Sequence, residues 1–239
     1  MRIHVAGFVC LGLLACGGGG DPGPRPLSHH FDDMHIAAVP IAEKQSVIEA
    51  QNAYATAKME RAKAEADYNE SATKLSVAEN EREQALLAEK SARTEKKAAD
   101  DSNDLTRINA AAAELHRAEL ARKAADEKVS WLKVYREYLK KWLRYTEEAM
   151  YAAEAKYELA KARIAQKKNI RPKGFDPAVF ETQYKERSER AQRARAQAMQ
   201  IKQKADAKKK QWEAMVKAAQ PKPATQPKPA ATGGNTSGS

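Results

Sequence analysis

The chain has 239 residues, 31 % of them charged and only 6 % aromatic, and it carries a formal charge of +10. Ala, Glu, Lys, Arg and Gln dominate its middle, a composition that suits long helices or coiled coil and argues against a compact sheet-based domain. Its two cysteines, Cys10 and Cys16, lie near the N-terminus, so no disulfide or thiolate metal site can form farther along.

Residues 1–15, MRIHVAGFVCLGLLA, open with Arg2 and continue as an apolar run too short to span a bilayer, as a secretory signal does. Leu13, Leu14, Ala15 and Cys16 follow the order of a lipobox: a Leu, two small or apolar residues and a Cys. Here the chain resembles bacterial lipoprotein signal peptides. Cys10 fits worse, because GFVC lacks the upstream Leu. The resemblance implies cleavage before Cys16, diacylglycerol on its sulfur and an acyl chain on the new amine. Several acyl chains anchor stably where one does not, at about 0.8 kcal/mol per buried CH₂. Gly17 follows the Cys where an Asp often signals inner-membrane retention, which implies the outer membrane, with the chain facing the periplasm.

Gly17–Gly20 and DPGPRP then read as a flexible, later Pro-stiffened tether over residues 16–39. It contains HHFDDMH, in which His29, His30, Asp32, Asp33 and His35 are competent metal ligands. A linker offers no scaffold to fix their geometry, so no metal site is expected.

Residues 40–219 contain few helix breakers. DDSND (100–104) and NIRPKGFDP (169–177) divide them into three expected helices, about 41–99, 104–168 and 177–219. Asp104 and Asp176 are placed to cap the second and third, and Pro177 stands at the first helical position. In the first helix every seventh residue from Ala50 to Ala99 is Ala, except Ser71. Val47, Tyr54, Arg61, Tyr68, Leu75 and Arg82 fill the alternate position. The second helix repeats the pattern from Ile108 through Leu115, Ala118, Arg122, Val129, Leu132, Arg136, Leu139, Leu143, Thr146, Met150, Ala153, Tyr157 and Ala160 to Ile164, and the third through Phe180, Tyr184, Arg187, Ala191, Ala194, Ala198, Ile201, Ala205, Lys208, Trp212 and Met215.

This is the 3.5-residue period of a left-handed coiled coil, and it rules out disorder. Seam arginines can lay their stems on apolar surface with the charge in water. The expected fold is all-α: a long antiparallel coiled-coil hairpin with a third helix packed back along it. The hairpin tip, around 85–120, is left bare.

The second helix carries a further row: Trp131, Tyr135, Tyr138, Trp142 and Tyr145. Such stripes are usually core. The expected packing is on Ile201, Trp212 and Met215, with Ala62, Ala64 and Ala66 making room. The functional alternative is a partner surface for a helix or a glycan. Charge is uneven as well. Residues 169–219 hold 13 Lys/Arg against 6 Asp/Glu, while 40–99 hold 10 against 11. A basic third helix suits anionic glycan or lipid, although a solvated face is the plainer reading. Nucleic acid is no partner for an exported chain. The final segment, 220–239, repeats QPKPA and reads as a disordered tail, extended and semi-rigid over the repeat and flexible at its end; it resembles in composition the Lys-Pro spacers of envelope proteins, with a plain solubilising tail as the alternative.

No catalytic constellation is present. Glu147 and Glu148 read as surface carboxylates, His116 lacks an HExxH context, and the Gly run lacks the strand and Lys of a phosphate loop. No enzyme activity and no cofactor are expected. The expected role is a lipid-anchored spacer, scaffold or adaptor with protein partners in the envelope. In shape the hairpin resembles the coiled-coil arms of efflux adaptor proteins, without the lipoyl and barrel segments that flank those arms. Two alternatives stand beside it: a holdase, similar to periplasmic chaperones with helical tentacles, or a protein that binds peptidoglycan or lipopolysaccharide through the third helix.

Overall fold

The structure, a computed structural model, describes residues 23–220. Residues 1–15, Cys16 and nearly all of 220–239 lie outside the described part. Three helices make up the body: α1 (Gln45–Asp100), α2 (Leu105–Lys167) and α3 (Pro177–Ala219), preceded by 3₁₀ turns at Asp33–Ile36 and Ile41–Glu43. At 1.5 Å per residue, their 56, 63 and 43 residues run for about 84, 94 and 64 Å. Asp104 accepts from the Thr106 and Arg107 amides and Asp176 from that of Ala178, as helix caps do. The loops close through residues that tolerate left-handed backbone: Asn103 at the tip (φ 57°), and Asn169 and Gly174 between α2 and α3 (φ 55° and 75°).

The heptad seam of α1 is buried as expected. Ala50, Ala64, Ser71, Ala78, Ala92 and Ala99 are buried, while Ala57 and Ala85 of the same row, and Tyr54, Arg61, Tyr68, Leu75 and Arg82 beside it, are half-buried. Alanine lets the α2 backbone approach closely, and the longer residues cover the flanks. Arg136 shows how a seam arginine is accommodated: its guanidinium lies 5.0 Å from the Tyr68 ring centroid. Arg187 lies 5.6 Å from the Tyr151 ring.

α2 packs against both neighbours, and no Cα of α1 comes within 8 Å of one in α3. The body is therefore an open layer with α2 in the middle. Two stripes on α2 account for this. Val129, Leu132, Leu139 and Thr146 form the seam towards α1, and Glu148, Ala155, Leu159 and Ala162 a second, all buried. At a 3.5-residue period the stripes stand roughly 155° apart, too far for the outer helices to meet. The second stripe corrects the reading of Glu148 as a surface carboxylate. It is 1 % exposed, and its Oε1 accepts from Arg190 Nη2 at 2.9 Å and Nε at 3.2 Å.

The expected tether differs as well. Its described part, from Gly23, is an ordered strap. Leu27, Phe31, Ile36 and Val39 are buried. Phe31 meets Phe175 and Phe180 edge-on, at centroid distances of 5.5 and 6.1 Å. Phe31, Ile36, Val39 and Phe180 form an apolar cluster with Val47, Leu159, Ala162, Ile164 and Ala165 at the base of the layer, and Phe175 packs against it. Polar side chains grip the strap backbone. Glu158 Oε2 accepts from the Phe31 amide at 2.6 Å, and Lys161 Nζ donates to the Phe31 carbonyl at 2.8 Å. Lys161 also meets Glu158 and Asp33, each at 2.9 Å. Gln183 accepts from the Ser28 and His29 amides and donates to the His29 carbonyl. Burial opposes charge on Lys161, but its bonds to Asp33 and Glu158 outweigh this and hold the ammonium above the usual lysine range.

Near the tip, buried Glu89 ties the two helices together. Its Oε1 accepts from Arg93 Nη2 at 2.7 Å, and Oε2 lies 2.5 Å from Arg122 Nε on α2. Arg93 also reaches Glu119 of α2 at 3.2 Å. Desolvation works against the Glu89 carboxylate, but the two guanidinium groups more than offset it and hold its carboxyl below the usual range.

Two outcomes are expected. Glu158→Ala strips Lys161 of its buried partner and the Phe31 amide of its acceptor, and should cost about 3–5 kcal/mol in urea unfolding, with faster proteolysis within residues 23–44. A change too small to measure would place the grip elsewhere. The lowered carboxyl of Glu89 contributes stability that is complete above the ordinary glutamate value and lost as pH falls through the lowered one. Glu89→Gln should therefore melt below the native chain at neutral pH, and the two should converge well below about pH 4. Parallel melting curves at every pH would contradict the assignment.

Candidate partner surface

The aromatic row sits where α2 is flanked by both outer helices. Trp131, Tyr138 and Tyr145 recur at heptad spacing and belong to the side facing α3. Tyr135 and Trp142 lie one step, roughly 50°, farther round towards α1. The rings stand in single file, with successive centroids 5.9, 5.9, 6.1 and 4.8 Å apart and planes tilted by 37–51°. All five are half-buried.

The upper end of the row is covered. Trp131 stacks on Trp212 of α3 at 4.9 Å and 7°, with Lys209 Nζ 5.9 Å from the Trp131 ring. The rest of the expected packing needs correction. Ile201 is half-buried, but Met215 is exposed and adds no cover to the row. On α1, Ala64 is buried, whereas Ala62 and Ala66 face solvent and make no room for the rings. Each lies two positions from the seam residue, on the outer side of the helix.

Below Trp131 the row lines clefts shared with α1. One is bounded by Glu60, Lys63, Asp67, Tyr138, Trp142 and Tyr145, the other by Glu70, Thr73, Lys74, Val77, Trp131 and Leu132. Val77 is half exposed in the second. Charged groups from both outer helices reach the row. Burial pushes the Tyr138 phenol up; Lys202 opposes this, while Tyr135, Asp206 and Asp67 add to it. The surface thus offers flat ring faces and mixed charges at its rim. It can hold an apolar helix face, another aromatic group or the face of a sugar ring. It holds no nucleophile–base pair.

The other sequence candidates are held apart by the strap. The His29 backbone is bound by Gln183, and the His30 ring lies 3.9 Å from Glu158. Asp32 caps the first 3₁₀ turn through the Met34 amide, Asp33 pairs with Lys161, and His35 packs edge-on against Phe31. Among the described residues no three His, Cys, Asp or Glu side chains gather around a common point. His116 is exposed on α2. The gripping residues Glu158, Lys161 and Gln183 escape a sequence reading. The one available signal was a pair of isolated aromatics, Phe31 and Phe175, in segments otherwise read as linker.

The Trp131–Trp212 stack should be measurable. In a double-mutant cycle with Trp131→Ala and Trp212→Ala, the pair should couple by about 0.5–1.5 kcal/mol. Strict additivity would mean that α3 does not cover the upper end of the row. Neither a protein-family model, nor a curated protein, nor a solved structure matches the chain, so its role has to be read from its own residues and geometry.

Proposed function

We propose that this chain is a lipid-anchored scaffold or adaptor of the bacterial cell envelope, acylated at Cys16 and placed at the outer membrane facing the periplasm. The observation that carries the reading is the junction of two features. A stretch that resembles a lipobox ends at Cys16, and the chain is gripped by the helical body from Gly23 onward. An anchor seven residues from a fixed point holds a rigid body near the membrane more tightly than a long tether would. No helix among the described residues is long and apolar enough to cross a membrane.

The layer then acts as a support, about 94 Å long through α2, that presents its clefts and bare tip to protein partners. The aromatic row supplies the contact area and the charged rim the selectivity, the usual division of labour at protein interfaces. No catalytic step is part of this reading.

Metabolic labelling with a fatty-acid analogue tests it. The native chain should incorporate label and fractionate with membranes, and Cys16→Ser should lose both while keeping its helical circular dichroism. An intact thiol on Cys16 in the mature protein, found by mass spectrometry, would overturn the proposal.

A further inference from the structure

The strap enters the body at an unexpected place. The Gly23 carbonyl accepts from Arg190 Nη2 at 3.2 Å and the Pro26 carbonyl from Arg187 Nη2 at 2.9 Å, after which the chain passes Gln183 and reaches the base at Phe31. Arg190 stands thirteen residues along α3, about 20 Å up from the base. The chain therefore arrives on the flank of α3 and runs down to the base before α1 begins.

Six residues separate Cys16 from Gly23, and the seven Cα–Cα steps reach about 25 Å at full extension. If the layer stood upright on its base, nearly all of that reach would go to spanning the distance from the membrane to Arg190. If it lay along the membrane on α3, the reach would be ample at any extension.

Charge favours the same edge. α3 holds 11 Lys/Arg against 5 Asp/Glu, and α1, the opposite edge, 9 against 11. Arg195, Lys204, Lys210 and Lys217 are exposed and make no ion pair among the described residues. They extend along α3 above the point where the strap enters, Lys210 and Lys217 on its outer face and Arg195 and Lys204 on its two flanks. A body attached through a lipid at one point and attracted to anionic headgroups along the basic α3 edge is held flat.

Resting on the acylation of Cys16, we propose that the protein lies along the membrane on its α3 edge, with the exposed cations of α3 against anionic lipid headgroups. α1 then faces away from the bilayer and the aromatic row opens sideways, clear of it. The bare hairpin beyond Trp131 projects along the membrane plane.

The height of the tip above the bilayer tests this. The full acylated chain carrying Ser102→Cys, labelled with a donor dye, is reconstituted into vesicles with acceptor-labelled lipid, made from phosphatidylcholine alone or with phosphatidylglycerol. An upright layer keeps the donor about 90 Å away, beyond efficient transfer. Transfer should be several-fold stronger on the anionic vesicles and should collapse at high salt, because the screening length shortens. It should also fall with Arg195→Glu, Lys204→Glu, Lys210→Glu and Lys217→Glu combined, circular dichroism confirming that the helices remain. The salt arm needs no variant and decides the matter if the combined variant does not fold. Protein that floats with both vesicle types but shows equally weak transfer on each overturns the orientation and leaves the anchor intact. Protein that fails to float overturns the anchor and this proposal with it. Salt-sensitive capture on purified sacculi without any rise in transfer would make glycan the anionic partner and overturn the lipid assignment.

Discussion

Alanine at every seventh position, set against a longer side chain at the alternate one, is the contact on which the rest of this structure depends. It brings α1 and α2 close enough to bury a seam that holds few large apolar residues. Each layer of such a seam is weak, so the helices need length to hold together, and 56 residues of α1 run beside α2. Aromatic residues in the alternate position, Tyr54 and Tyr68, stay half-buried and take cations on their rings: Lys58 Nζ lies 4.1 Å from the Tyr54 centroid. The seam tolerates arginine for the same reason, since a small partner leaves space for the stem.

The second constraint is that α2 serves two seams at once. A helix in the middle of an open layer has little surface left for solvent, so some of its charges are buried and must find partners. Glu148 finds Arg190, and Glu158 finds Lys161 and the Phe31 amide. Buried pairs of this kind add little net stability compared with apolar residues of the same shape, but losing one partner is costly, so they enforce a particular assembly. Here they specify which segment lies across the base and which turn of α3 meets α2. The ends of the layer differ accordingly. The base has an apolar cluster closed by the strap, and the tip is held by the guanidinium–carboxylate network around Glu89.

What could be read in advance follows from the same physics. The three helices, their caps and their order were legible because one pattern repeats along each, and the breaks at 100–104 and 169–177 are rich in Asp, Asn, Gly and Pro. The strap was not legible. Leu27, Phe31, Ile36 and Val39 follow no helical or strand period, and the partners of residues 28–31 stand 127–155 residues away in sequence. Glu148 was misread because a helix with one seam would have placed it in water. The aromatic row was legible as a row. Its half-covered state was not, because that depends on α1 and α3 standing apart.

That separation is the central claim, and a pulsed electron paramagnetic resonance distance reaches it directly. Spin labels at Ala66 and Gln200, both exposed on the outer edges, would be attached through cysteines introduced into a chain lacking Cys10 and Cys16. With α2 between them, the axes of α1 and α3 stand about 16–20 Å apart, and labels pointing outward extend the measured distance well beyond that. A distribution centred where two helices in direct contact would put the labels, with axes about 8–10 Å apart, would mean a closed three-helix bundle and would contradict the open layer.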